Sequence, residues 1–326
     1  MKIYAIIVLV LTLIMVFLPL SFIAASQKND EPQTVTATEE DSTIENSAQS
    51  VAVLLTSTDE VVELEIFDYL KGCVASEMPA SYELEALKAQ VVASYTYIKW
   101  LEFNCDNPNA AYLISDNSSE YQGYISEDEM LEMWGDDYDE YNEKIEEAIS
   151  SVLGEYLSYE DEPILACFHA ISSGITSNSE DVWLEAYPYL TSVVATGDKL
   201  SPNYEQSTTF TQEQMSERLS NLGVSTAETS ADSWFGDFDV TESGFVSEIT
   251  VIDESFDANE LRYALDLASP NFEIEFADDE FIVTTYGYGH GVGMSQYSAN
   301  YMARQGYTYD EILLHFFTGV TLESGD

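Results

Sequence analysis

The stretch Tyr69-Leu70-Lys71-Gly72-Cys73-Val74-Ala75-Ser76-Glu77-Met78-Pro79-Ala80-Ser81-Tyr82-Glu83-Leu84-Glu85-Ala86-Leu87-Lys88-Ala89-Gln90 holds two helical periods separated by one proline. From Phe67 the apolar positions Tyr69, Leu70, Cys73, Val74 and Met78 recur at helical spacing, and Pro79 stops the run. A second helix is predicted from Ser81, whose hydroxyl can cap it, with Glu83 and Glu85 in the dipole-favoured first turn. Its stripe of Leu84, Leu87, Val91, Tyr95 and Ile98 faces a core. Glu77 stands at the end of the first apolar turn. A carboxylate held among apolar neighbours has its ionised form disfavoured, which keeps a general acid protonated near neutral pH. Composition alone does not select it, because the chain carries 60 acids and a surface role is the default for each.

Outward from this pair, 51–55 and 61–66 read as strands, and 155–159 with 164–168 as a hairpin around Glu160-Asp161-Glu162-Pro163. The 210–222 segment reads as a helix, 240–252 as a hairpin turning near Gly244, and 272–276 with 281–285 as another pair around Asp278-Asp279. The 294–305 segment is helical with Gly306 as its stop, and Thr308 with Glu311 forms a capping-box pattern for a last helix through Phe317. The 127–147 segment, dense in acid with Lys144 its one base, reads as a solvated helical face. Helices at both ends of a strand-rich middle predict an α+β fold with one domain over 51–322.

The chain has 326 residues with 10 Lys+Arg against 60 Asp+Glu, a formal net charge of −50. That balance excludes nucleic acid as a partner, because phosphate binding rests on basic neutralisation. With 45% hydrophobic residues, 22 Tyr and 15 Phe, the acid is spread over a folded protein. Residues 3–25 carry no charge. A membrane span needs ~20 such residues and a signal-peptide core ~7 to 15, so 1–26 is expected to anchor the chain, although Ala24-Ala25-Ser26 also reads as a cleavage site. Either way the rest is expected outside the membrane, with the polar, acidic 27–50 segment as a stalk. Cys73, Cys105 and Cys167 are an odd set in an exported chain, so at least one is unpaired within the monomer. Cys167 and His169 form a C-x-H pair that suits metal, against the commoner reading of a buried thiol beside a strand histidine.

Two further islands spend residues in ways that packing does not explain. His169-Ala170-Ile171-Ser172-Ser173-Gly174-Ile175-Thr176-Ser177-Asn178-Ser179-Glu180-Asp181-Val182-Trp183 gathers hydroxyls, an amide and an indole in a loop, a lining that suits sugar hydroxyls. A Ser173, His169, Asp181 triad is weighed against it, but the chain lacks a G-x-S-x-G elbow. In Tyr286-Gly287-Tyr288-Gly289-His290-Gly291-Val292-Gly293-Met294-Ser295-Gln296-Tyr297 four alternating glycines deliver one of only three histidines to a helix N-terminus. No phosphate-loop lysine accompanies them.

Together these residues resemble the stage II sporulation protein D family, which includes the amidase enhancers. Tyr69-Leu70-Lys71-Gly72, Ala75-Ser76-Glu77-Met78-Pro79 and Glu85-Ala86-Leu87-Lys88-Ala89-Gln90 carry the first motif. The 169–183 loop resembles the second and 287–296 the third, followed by Ala303, Gly306 and Gly319. Asp116 with Gln122, and Leu261-Arg262 with Leu265 and Leu267, are weaker matches between them. The resemblance runs in order over about 51–322. The chain departs from the pattern at Tyr95, where the family usually has Arg, and at Ile175, where it has a second glycine.

The resemblance implies peptidoglycan cleavage outside the membrane by a lytic transglycosylase, acting on glycan strands after an amidase has removed the stem peptides. Glu77 matches the family's catalytic acid, and Ser172, Ser173, Trp183, His290 and Gln296 are expected to line the glycan groove. The expected partners are peptidoglycan glycan strands and an amidase or sporulation engulfment complex, with the membrane held through the N-terminal helix. Some members resemble zinc binders through a Cys/His cluster that the matching 113–124 stretch lacks, so neither zinc nor another cofactor is expected. The alternatives are a non-catalytic wall-binding enhancer of an amidase and a metallohydrolase built from Cys167, His169 and His290.

Overall fold

The computed structural model describes residues 49–325 apart from 106, 108 and 184. The segments expected to be anchor and stalk lie outside these residues, save for the stalk's last two. Among the described residues no helix is long and apolar enough to cross a membrane.

The strand Ser50–Leu55 pairs antiparallel with Glu60–Glu65 and parallel with Ile114–Ser115. Val51 and Val53, two apart and so on one face of the strand, are buried. The first helix, Ile66–Glu77, follows directly and buries Tyr69, Leu70, Cys73 and Val74. Met78 is extended and Pro79 lies beyond it, so Glu77 is the last helical residue. The second helix, Leu84–Phe103, starts later than the sequence predicts. Residues 79–82 close a turn through Tyr82 N–H to the Pro79 carbonyl (2.9 Å), so Ser81 is spent in that turn and caps nothing. The exposed N–H of Glu83 is taken instead by Asn300 Oδ1 at 2.9 Å.

This second helix is the hub of the molecule. The predicted stripe is inside at Leu87, Val91, Tyr95 and Ile98, but 89–96 is buried without a break, so every face is covered and amphipathic spacing understates it. Its buried polar side chains are paired: Thr96 Oγ1 accepts from Leu157 N–H (3.0 Å), and Gln90 Oε1 accepts from Gln296 Nε2 (3.2 Å). Packed on it are Tyr138–Val152, Gln296–Arg304, Tyr309–Phe316 and the strand Glu155–Tyr159.

The hairpin predicted after 154 is shorter than expected. Glu155–Tyr159 pairs with Glu162–Pro163 alone, and its other edge is taken by Thr321–Ser324. Residues 164–167 run on without strand pairing until Phe168–His169 meets Met294–Ser295 in parallel. A second hydrophobic core gathers Phe210, Met215, Trp234, Ile249, Leu261 and Phe281. It is covered by two antiparallel sheets, Phe235–Val240, Val246–Val251 and Glu254–Asp257 in one, Phe272–Ala277, Glu280–Tyr286 and Glu205–Thr211 in the other. The predicted 272–285 pair is present, with Asp278 and Asp279 at positive φ in its turn. The helix expected from Phe210 is Gln212–Asn221, capped by Thr211, because Phe210 belongs to a strand. Mixed helices and strands make the chain α+β.

A buried carboxylate ties the long loops together. Asp198, with no exposed surface, accepts hydrogen bonds from Ser172 N–H (2.8 Å) and from the hydroxyls of Ser172, Ser295 (2.7 Å) and Ser298 (2.8 Å). Burial pushes its carboxyl pKa up and those donors pull it back. Asp198→Ala strands four donors and is expected to lower the unfolding free energy by about 3 kcal/mol in a urea titration. A loss under about 1 kcal/mol would show that this knot does not hold the loops.

Candidate active site

Glu77 reaches the site because the helix ends on it and the chain then turns away at Pro79. Its Oε1 accepts a hydrogen bond from the backbone N–H of Gly123. Only glycine permits this approach, since a Cβ at position 123 would strike the Ser76 hydroxyl and crowd the carboxylate oxygen itself. The loop carrying Gly123 is fixed at both ends. Asp116 Oδ1 accepts from Thr56 N–H (2.9 Å) and its hydroxyl (2.7 Å), and Gln122 Nε2 donates to Tyr69 Oη at 2.9 Å. Among the described residues Glu77 forms no ion pair. Burial raises its pKa above the ordinary carboxyl value, and the single Gly123 N–H offsets that only in part.

The carboxyl opens on a cavity of about 560 Å³, within the range of small-ligand sites. Across it stand His290 and Trp183, with Tyr97, Gln122, Cys167 and Arg262 completing the wall. His290 is delivered by the glycine loop, which lies flat along 167–172. Tyr288 and Ile171 exchange backbone hydrogen bonds of 2.7 and 3.0 Å, and Met294 N–H donates to the Cys167 carbonyl at 3.0 Å. At Gly293, φ is +73° and a Cβ would collide with that carbonyl, so the close approach of two backbones explains the alternating glycines.

The two ring systems around His290 fix its tilt. The Trp183 indole lies 5.2 Å away between centroids at 48°, and the His169 imidazole 5.7 Å away at 61°. Nδ1 of His290 accepts from Val292 N–H at 3.2 Å, while His169 Nδ1 donates to the Val292 carbonyl at 3.0 Å. Both imidazoles are neutral at physiological pH. Burial, the neighbouring His169 and the Arg262 charge push His290 down to about 3, and burial pushes His169 down to about 4. Neither therefore supplies a cation to ionise Glu77. Arg262 spends its Nε and Nη2 donors on the Leu267 and Ala268 carbonyls, each at 3.2 Å. A second carboxylate, the exposed Glu120, stands on the cavity rim.

Glu77, Trp183 and His290 thus share one cavity, and Ser172, Ser173 and Gln296 do not line it. Ser172 is buried with its hydroxyl on Asp198, and Gln296 is buried against Gln90. Ser173 donates to the Ser243 carbonyl (2.6 Å) and faces a separate cavity. The structure thus does not bring these three to the Glu77 cavity, and the cause is a set of polar partners elsewhere in the sequence. Cys167 lines the site as a thiol that burial pushes up to about 12, while His169 is buried behind it. Among the described residues no three His, Cys, Asp or Glu side chains gather as a metal set. Tyr97, Gln122 and Arg262 are lining residues that sequence patterning passes over; only the motif matches at Gln122 and Arg262 hinted at two of them.

The raised pKa of Glu77 has a consequence for stability. Its folded pKa lies above its unfolded one, so the folded chain holds a proton that the unfolded chain has lost in the window between them. This contribution is fully present below the unfolded value and is lost as pH rises through the window. Glu77→Gln keeps an acceptor for Gly123 and removes the ionisation, so its melting temperature is expected to exceed that of the parent at pH 7 and to converge with it below the ordinary carboxyl pKa. A variant less stable than the parent at pH 7 would contradict the assignment.

A family model described as stage II sporulation protein matches residues 55–159, which contain Glu77 and Gly123. Stage II sporulation protein D of Bacillus subtilis is 34% identical over all of this chain and 97% of its own length. The protein of that name in Bacillus amyloliquefaciens is 36% identical over 87% of this chain and 81% of its own. An amidase enhancer of Bacillus subtilis is 29% identical over 78% of this chain and 40% of its own. With Glu77 of its first motif and His290 of its glycine loop lining one cavity, the chain belongs to the stage II sporulation protein D family.

Proposed function

We propose that this chain is a lytic transglycosylase of the bacterial cell wall, held at the membrane by its apolar 3–25 segment with 51–322 outside, and working in sporulation. The observation that carries the reading is the carboxyl of Glu77, half-buried, unpaired with any cation among the described residues, and opening on a cavity lined by His290 and Trp183.

One carboxyl suffices for this reaction. Glu77 in its protonated form donates to the glycosidic oxygen, and the bond from the N-acetylmuramic acid C1 to that oxygen breaks through an oxocarbenium-like state. The same sugar's 6-hydroxyl then attacks C1, returning its proton to the Glu77 carboxylate and closing a 1,6-anhydro ring. A hydrolase needs a second carboxylate to place water or a nucleophile, whereas here the substrate supplies the nucleophile. Trp183, 39% exposed, offers an apolar face to a sugar ring, and the neutral His290 offers hydrogen bonding without adding charge.

A second reading is favoured by the relative named amidase enhancer: the cavity binds wall glycan without cutting it, and the chain stimulates a partner amidase. Purified protein incubated with peptide-stripped glycan separates the two, because mass spectrometry detects 1,6-anhydro ends only if the chain is the enzyme. Glu77→Gln is expected to lower anhydro-product release by a factor of about 10² to 10⁴ while leaving glycan binding in place. Cleavage by that variant at the parent rate would sink the role of Glu77. Since the acid must be protonated, the rate is expected to fall as pH rises through a value above the ordinary glutamate range. A basic limb at or below that range would count against the mechanism.

A further inference from the structure

The Glu77 cavity has a neighbour. A space of about 720 Å³ lies against Val246 and Phe272 of the second hydrophobic core, with Ser173, Lys199, Tyr204, Asn271 and Tyr286 in its wall. A narrow void faced by Ser173, Asn271, Gly289 and His290 lies between it and the Glu77 cavity, so the glycine loop separates the two.

Lys199 sets this space apart. Among the described residues, Lys71, Lys88, Lys99 and Arg304 are paired with Glu146, Glu85, Glu102 and Glu83. Lys144, Arg218 and Arg262 donate to backbone carbonyls. Of the basic side chains among the described residues, Lys199 alone has neither an ion pair nor a hydrogen bond, in a chain of net charge −50. Its position is nonetheless built: it sits in the tight turn Thr196–Leu200 beside the Asp198 knot, and its methylene stem packs over Gly174, where any Cβ would collide with it. An unmatched ammonium held this way over a cavity is free for a ligand's anionic group.

The rest of the wall suits a sugar. Tyr204 and Tyr286 lie 5.9 Å apart at 46°, presenting aromatic surface. Asn271 is buried, and its Oδ1 has no partner, which leaves an acceptor for an acetamido N–H. Two exposed acids, Glu242 and Glu273, also line the space, and Lys199 pairs with neither. They disfavour a densely charged polyanion and leave room for one carboxylate at the lysine.

We propose that this cavity is a second saccharide subsite, taking a carboxylate-bearing unit of wall glycan with Lys199 as the counter-ion. The proposal rests on the wall-glycan reading above. Peptide-stripped muramic acid carries such a carboxylate on its lactyl group, and intact strands carry theirs at the ends of the stem peptides.

Calorimetry with the full chain carrying Glu77→Gln, so that nothing is cut, tests it on three oligosaccharides of equal length: stripped muramyl glycan, the same glycan bearing stems, and an N-acetylglucosamine oligomer. Adding Lys199→Gln is expected to weaken binding of the stripped glycan about fivefold, as much as a solvent-reached ion pair supplies, and to leave the N-acetylglucosamine oligomer unaffected. Lys199→Arg should restore most of the loss. A loss seen only with stems supports the subsite and places the carboxylate on the peptide. Equal affinities with and without Lys199 for both carboxylate-bearing glycans overturn the proposal. A null here leaves the anhydro-product test of Glu77 standing, and failure of that test leaves this binding difference standing.

Discussion

A carboxyl group drawn partly out of water with one neutral N–H for company constrains everything around it. Glu77 is held by Gly123 and by no cation among the described residues, and such a group stays in place only if its protonated form is acceptable. The helix must end on it, the chain must leave at Pro79, and position 123 must lack a Cβ. The Leu84–Phe103 helix, buried without a break over 89–96, gives that end a rigid backing. The remaining acid is mostly kept at the surface, as on the Glu127–Trp134 and Tyr138–Val152 helices, where charge is solvated and leaves the pocket alone.

The opposite wall solves a different problem. It brings a neutral imidazole and an indole to the carboxyl, and the one guanidinium in the lining, Arg262, is tied to the Leu267 and Ala268 carbonyls and forms no ion pair with Glu77. Backbone packs directly on backbone between 167–172 and the glycine loop, leaving His290 half-buried and neutral beside Trp183. Asp198 then pegs the Ser172 loop to the start of the Gln296–Arg304 helix, so the wall is braced from behind. The serines of that loop are therefore mostly frame, and the Glu77 cavity is lined instead by the rings of His290 and Trp183.

How much of this was legible in the sequence depends on the range of the interaction. The helix, proline, helix order around Glu77 follows from local periodicity, as does the 272–285 pair with its Asp-Asp turn. Ser81 misleads because a turn and a cap use the same residue type, and the choice is made by Asn300, more than two hundred residues away. The strand Glu205–Thr211 escapes notice because all but Phe210 of it is exposed, which erases the alternation that marks a strand. Ser172 and Gln296 stand out as unusual residues, yet their orientation is set by Asp198 and Gln90, which no local pattern connects to them. Tyr97 sits on the hub helix and reads as core, although it also faces the cavity.

The account turns on whether Glu77 holds its proton where an ordinary glutamate has lost it. Carbon-13 NMR of the Glu77 side-chain carboxyl, assigned by comparison with the Glu77→Gln chain and followed through a pH titration, reads this directly. The account predicts a midpoint above the ordinary glutamate range, with the resonance still in its protonated position where the exposed acids have ionised. A midpoint within or below that range would contradict it, because the carboxyl would then be an anion in the cavity at the pH where it is asked to give a proton.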